Sequence, residues 1–306
     1  MLLKARGGGN MRKSVYSFLV LAVTTGPAFS DGALFETPQT ALDAFVEALT
    51  ADDQNKLLEI FGPEAEDLIG TGDPVEDQRR RQEVLGMYAE GYRFQPEDNG
   101  VFLLLGEDSW PFPIPILQAE NGWKFDLEAG VEELSAREIG LNELEVIETL
   151  EAYVDLQAAF RLVDHNGDGV MEFARTIISD PGARNGLFWP EEDSFVGAAL
   201  ARAAASGWSD GAVDFEPEPF LGYYFAILQG QGPNAPGGAY SYFVGDRFVA
   251  GHALLAVPAD YGVTGIHSFL VGENGTVFEA DFGPDTLEKT AEISTYDPGP
   301  NWSPAE

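Results

Sequence analysis

The chain has 306 residues, with 51 acidic side chains against 17 basic, a formal net charge of −34 and no cysteine. At 44% hydrophobic residues it can build a packed core, as one large or two medium domains, so a wholly disordered chain is excluded. The acid excess excludes a basic nucleic-acid footprint, and the missing Cys excludes disulfides, thiolate zinc sites, thiol nucleophiles and lipoprotein acylation.

Residues 11–30, MRKSVYSFLVLAVTTGPAFS, predict a signal peptide. Arg12 and Lys13 form the positive start, Val15 to Val23 an apolar stretch too short to span a bilayer comfortably, and Ala28 and Ser30 a small-residue cleavage signature before Asp31. Residues 1–10 do not fit that pattern. Arg-Gly-Gly-Gly before Met11 is what a translated purine-rich ribosome-binding site would give, so the expected start is Met11. No later run is apolar enough to span a membrane, and the expected product is periplasmic or secreted, from a Gram-negative bacterium.

In the mature chain, Thr37-Pro38 reads as N-cap and first helical residue, followed by the stripe Leu42, Phe45, Val46 and Leu49. A second helix is expected over Asp53–Phe61, then a turn at 70–74 and a polar helix over about 75–90 carrying Arg79, Arg80 and Arg81. Strands follow at Val101–Leu105 and on either side of Asn121-Gly122, a dipeptide that favours a hairpin with two positive-φ turn residues. A long helix through Leu144, Ile147, Leu150, Tyr153 and Val154 runs to about Val163. Next come a short helix around 173–178, one near Val196–Ala205, and strands in GYYFAIL, YSYFV, HALLAV, IHSFLV and TVFEA. Asn274-Gly275 marks a second turn, and a short helix follows Pro284. Helices followed by strands, twice over, predict an α+β chain with domains at 31–134 and 135–306.

The most specific motif is Asp164-x-Asn166-x-Asp168-Gly169-Val170-x-Glu172. Oxygens at positions 1, 3 and 5, the Val170 carbonyl at 7 and Glu172 at 9 can converge on a calcium ion when glycine at 6 allows the turn. Arg175 stands at position 12 in place of a bidentate Glu, which leaves the site short of ligands unless a carboxylate elsewhere, such as Asp193 or Asp155, completes it. The competing reading is a polar turn that caps the long helix. His165 sits at a non-ligating position and is expected to face solvent. His252 and His267 lie in apolar strands, as core histidines or as a pair for a transition metal or acid–base work. The three arginines are expected to pair with Glu76, Asp77 and Glu83. The aromatic strings WPFPIP, GLFWP and GYYF read as core, or as the lining of a sugar or peptide groove.

Several strings resemble a family of exported bacterial proteins called domain of unknown function 2950: GDPVEDQRRR, WPFPIP, GWKFD, IGLNELEVIETLEAYVDLQ, DHNGDGVMEFA, GLFWP, GYYFAILQGQGPNAPGGA and PADYGVTGIHSFLV. The resemblance covers nearly all of the mature chain and implies no particular reaction. The first unit is also similar to the curled sheets of the cystatin or nuclear-transport-factor-2 type. The second is similar to the globular head of type IV pilin-like proteins, without their apolar N-terminal helix. Together these readings point to a non-catalytic, calcium-binding protein acting on an envelope protein or polymer. The alternative is a hydrolase of envelope polysaccharide or peptide working through paired carboxylates.

Overall fold

The computed structural model describes residues 32–204 and 218–305. The expected signal peptide lies outside the described residues, as does Ala205 at the end of one expected helix. The chain divides into two compact units, meeting at Glu128 and Ala129.

The first unit opens with α1 (Pro38–Ala51), where the Thr37 side chain accepts the Thr40 N–H in a capping box and Pro38 takes the first helical position. Ala41, Leu42, Phe45, Ala48 and Leu49 form its buried stripe. Three more helices follow: α2 (Gln54–Phe61), α3 (Glu66–Ile69) and α4 (Pro74–Glu90), the last capped by Asp73. The chain then switches to β1 (Tyr92–Glu97), β2 (Gly100–Leu105), β3 (Trp110–Pro111), β4 (Ile116–Ala119) and β5 (Gly122–Phe125), an antiparallel sheet in the order β1-β2-β4-β5 with β3 on β2. Phe45 packs its ring against those of Phe61, Phe112 and Phe125 at 5.4, 5.1 and 5.9 Å, so α1 and α2 are joined to the sheet by aromatic contacts. The β4–β5 turn is Glu120–Asn121, one residue earlier than the Asn-Gly pair suggests. Neither turn residue has positive φ; Gly122 opens β5 because a Cβ there would strike the Phe35 carbonyl at 2.6 Å.

Helix α5 (Leu127–Phe160) begins at the boundary and is 34 residues long, roughly 50 Å. From Val146 on, its buried positions Val146, Leu150, Tyr153, Gln157 and Phe160 recur every three or four residues. After it come β6 (Thr176–Ile178), β7 (Gly186–Phe188), α6 (Ala198–Ala204), β8 (Tyr223–Leu228), β9 (Gly230–Gln231), β10 (Tyr240–Ser241), β11 (Phe243–Val244) and β12 (Arg247–Phe248). The chain finishes with β13 (Ala253–Pro258), β14 (His267–Gly272), β15 (Val277–Asp281), α7 (Thr286–Thr290) and β16 (Ser303–Pro304). The main sheet is antiparallel, in the order β16-β15-β14-β13-β8. Every residue of the interior strand β13 is buried, because both sheet faces are covered. Tyr223, Phe225, Leu254, Phe269 and Val271 share a core with α5, while Leu228, Leu255, Val257 and Leu270 pack on the other face with Phe248 and Tyr296. The molecule is thus α+β. The expected helix at 173–178 is instead the strand β6, paired in parallel with β7. Its Thr-Ile-Ile run is β-branched and Pro181 follows closely, both unfavourable to a helix.

Candidate functional site

The loop Asp164–Glu172 leaves the C-terminal end of α5 through two glycines, Gly167 and Gly169, at φ +75° and +87°. A Cβ at either would be strained there. The Asp164 carboxylate fills the concave side of this turn. Its Oδ1 accepts the N–H groups of Gly167 at 2.8 Å and Asp168 at 3.3 Å, and its Oδ2 accepts that of Gly169 at 2.8 Å. These donors, the Gly169 N–H foremost, hold the Asp164 carboxyl below the usual carboxylate range. Asn166 Oδ1 accepts the Asp168 N–H, and Asp168 Oδ1 accepts the Val170 N–H.

Two contacts tie the loop to β12. Arg247 pairs with Asp168 Oδ2 at 3.1 Å, and the Phe248 N–H donates to Glu172 Oε2 at 2.8 Å. The Asn166 amide stands 3.5 Å from Glu172 Oε1, bringing positions 3 and 9 together. Asp193 does not join them; it accepts from the Trp189 indole N–H and pairs with Arg184. Asp155 is exposed on α5, and Arg175 pairs with Asp180. Among the described residues, no three His, Asp or Glu side chains form a metal-holding group. Asp164, Asn166, Asp168, the Val170 carbonyl and Glu172 are the right oxygen donors for calcium. To bind it, Asp168 and Glu172 must exchange internal donors for the ion.

The histidines separate into three environments. His165 turns inward: its ring stacks on Phe160 at 4.0 Å and its Nε2 lies 3.1 Å from the Phe160 carbonyl. His252 is 2% exposed, edge-on to Tyr153 and Phe173. Burial, reinforced by Arg161, pushes its pKa down to about 4, so the ring is neutral at ordinary pH. His267 is half-buried at the start of β14, whereas His252 precedes β13 at the opposite end of the ladder, where Ala253 faces Gly272. The structure therefore does not bring them together.

His267 instead meets Glu143 of α5, a residue that the reading of candidate sites missed. Glu143 Oε1 accepts the N–H groups of Ile266 and His267 at 2.7 and 2.8 Å, and Oε2 stands 3.2 Å from His267 Nδ1. Burial works to raise the Glu143 pKa, but the His267 ring and the two N–H groups outweigh it and leave the carboxyl below its usual range. The same contact raises His267, against burial. A signal existed: Glu143 lies on the apolar stripe with Val146, Ile147 and Leu150. Gln157 is a second such residue; its amide bonds the Tyr153 hydroxyl and both backbone groups of Ala174.

Arg79 pairs with Glu76 and Glu83, and Arg80 with Glu76, but Arg81 reaches Asp52 while Asp77 accepts from Thr71. Phe112, Leu187, Trp189, Tyr223 and Phe225 are buried, so the aromatic strings serve mainly as core. No helix among the described residues is long and apolar enough to cross a membrane.

Two compact α+β units with a buried aromatic core and a self-contained acidic turn define the class. The chain belongs to the family described as protein of unknown function (DUF2950), which matches residues 33–305. No curated protein and no solved structure matches it.

Proposed function

We propose that this is an exported, calcium-binding protein that acts through binding or assembly in the cell envelope. The observation that carries the reading is the Asp164–Glu172 loop: four oxygen-bearing side chains and the Val170 carbonyl on one tight turn, joined to β12. Calcium there competes with Arg247 for Asp168 and with the Phe248 N–H for Glu172. That competition, and the missing twelfth-position Glu, point to the weak affinity of extracellular modules, on the order of 10⁻⁴–10⁻³ M. Such affinity suits a compartment where calcium is millimolar.

The competing reading, a turn that closes on itself, is favoured by the three N–H groups gathered on Asp164. One experiment separates the two: thermal melts of the protein from Asp31 onward in calcium and in chelator, with magnesium at equal ionic strength as reference. Calcium at about 100-fold over its Kd should add roughly 2.7 kcal/mol. Asp168→Ala should remove that gain, and Arg247→Gln should lower the calcium concentration needed. An identical melting temperature in chelator and at about 10–100 mM calcium, the 100-fold excess for that Kd, would leave only the self-closed turn.

A further inference from the structure

In the second unit, β6, β8 and the end of α6 lie close together. A pocket of about 360 Å³ opens among them, at the small end of the roughly 300–1,000 Å³ that ligand sites span. Its apolar wall is made by Ile177, Ile178, Ala204, Phe225, Ile227 and Phe243. Two opposite charges line the same space: Arg175, which directly precedes β6, and Asp180, which follows it by two residues. Asn185 holds both in place. Its carbonyl accepts the Arg175 N–H, its Oδ1 accepts the Asp180 N–H at 3.0 Å, and its Nδ2 donates to Asp180 Oδ2 at 2.6 Å. Arg175 Nη2 donates to the same Oδ2. The Asn185 amide first, then the guanidinium, hold the Asp180 carboxyl below the usual carboxylate range against burial, so it is charged at neutral pH. One guanidinium nitrogen and one carboxylate oxygen are thereby engaged. Among the described residues, nothing bonds Arg175 Nε and Nη1 or Asp180 Oδ1.

The polar end of this pocket is therefore a fixed cationic donor beside a fixed anionic acceptor, with an apolar space adjoining. A simple anion with a greasy tail would meet Asp180 as well as Arg175, and a simple cation would meet Arg175 as well as Asp180. A zwitterion satisfies both. The two heads of an α-amino acid are separated by a single carbon, which matches a guanidinium and a carboxylate already in contact. We propose that this pocket binds a free apolar α-amino acid, its carboxylate on Arg175, its ammonium on Asp180 and its side chain among Ile177, Phe225, Ile227 and Phe243. Charge-assisted hydrogen bonds at both heads fix the orientation, and the apolar wall selects the side chain. The proposal goes beyond the calcium reading and does not need it, since Arg175 and Asp180 lie outside the Asp164–Glu172 loop. A titration in chelator tests the pocket alone, and the thermal melt tests the loop alone.

The probes are L-leucine and L-phenylalanine, titrated calorimetrically into the protein in chelator. At least one should bind with a Kd at or below about 1 mM. Its N-acetyl derivative lacks the ammonium and its amide lacks the carboxylate; each should bind at least about tenfold more weakly. Glycine keeps both heads and lacks the apolar side chain, and it should lose at least about as much. Asp180→Asn supplies a readout that a loss of packing does not imitate. It should weaken the free amino acid by at least about tenfold and strengthen the N-acetyl derivative, because the repulsion of that anion is gone. If this variant misfolds by circular dichroism, the series of ligands on the unaltered chain still decides. A Kd above about 1 mM for both amino acids overturns the proposal. So does a smaller loss for either derivative or for glycine, or unchanged amino-acid binding by a folded Asp180→Asn.

Discussion

His267 and Glu143 form the most informative pair in the second unit, because one contact shifts both groups toward their charged forms. The groups around the ring are Glu143 on α5, Glu279 and Asp281 on β15, and the Tyr223 hydroxyl, which reaches the His267 carbonyl. The raised His267 pKa gives stability that is complete below the unfolded value of about 6.5 and is lost as pH rises through the folded value. The lowered Glu143 pKa gives stability that is present above its unfolded value of about 4.3 and is lost as pH falls through the folded value. The pair therefore contributes most between these limits. His267→Gln should cost about 1 kcal/mol at pH 5.5, allowing for solvent at a half-exposed ring, and measurably less at pH 8.5. Urea unfolding at the two pH values checks this. An equal loss at both would show that His267 acts by packing alone.

Along the elements, what was legible in the sequence is what depends on local chemistry. The Thr37-Pro38 start, the stripe of α1 and the polar helix carrying three arginines all appear where spacing and caps put them. Strand β6 did not, because three residues carry too little periodicity to distinguish helix from strand, and its partner β7 is ten residues away. The Asn121-Gly122 turn shifted by one residue because close approach to Phe35, a tertiary demand, claimed the glycine. The Asp164–Glu172 loop was legible as a set of oxygens, whereas Arg247, which competes for one of them, lies 79 positions after Asp168 and left no local mark. Helix α5 is a different case: its pattern was clear only from Leu144 on, yet it starts at Leu127. Gly140 sits in that earlier stretch with nothing within 4 Å of an added Cβ. Gly140→Ala should therefore stabilise by about 0.5–1 kcal/mol, through a less free unfolded chain and better helix propensity. A denaturation midpoint that falls would show that the site is not open.

For the molecule as a whole, charge is the dominant fact. A net −34 means that the folded chain works against its own repulsion, and exposed pairs such as Arg79–Glu76 or Lys56–Glu59 offset little of it. Raising sodium chloride from about 0.1 to 1 M shortens the screening length from about 10 to 3 Å. The melting temperature should rise accordingly, and a fall would show that attractive pairs outweigh the repulsion. Helix α5 adds a property of another kind. Its side-chain ties to the sheet and to the loops beyond include Asn142, Glu143, Tyr153 and Gln157, and just past the helix Asp164 holds the turn that follows. Spaced along the last five turns, these bonds fasten that stretch of the rod and the sheet's loops into one piece, so a load on either is shared by both.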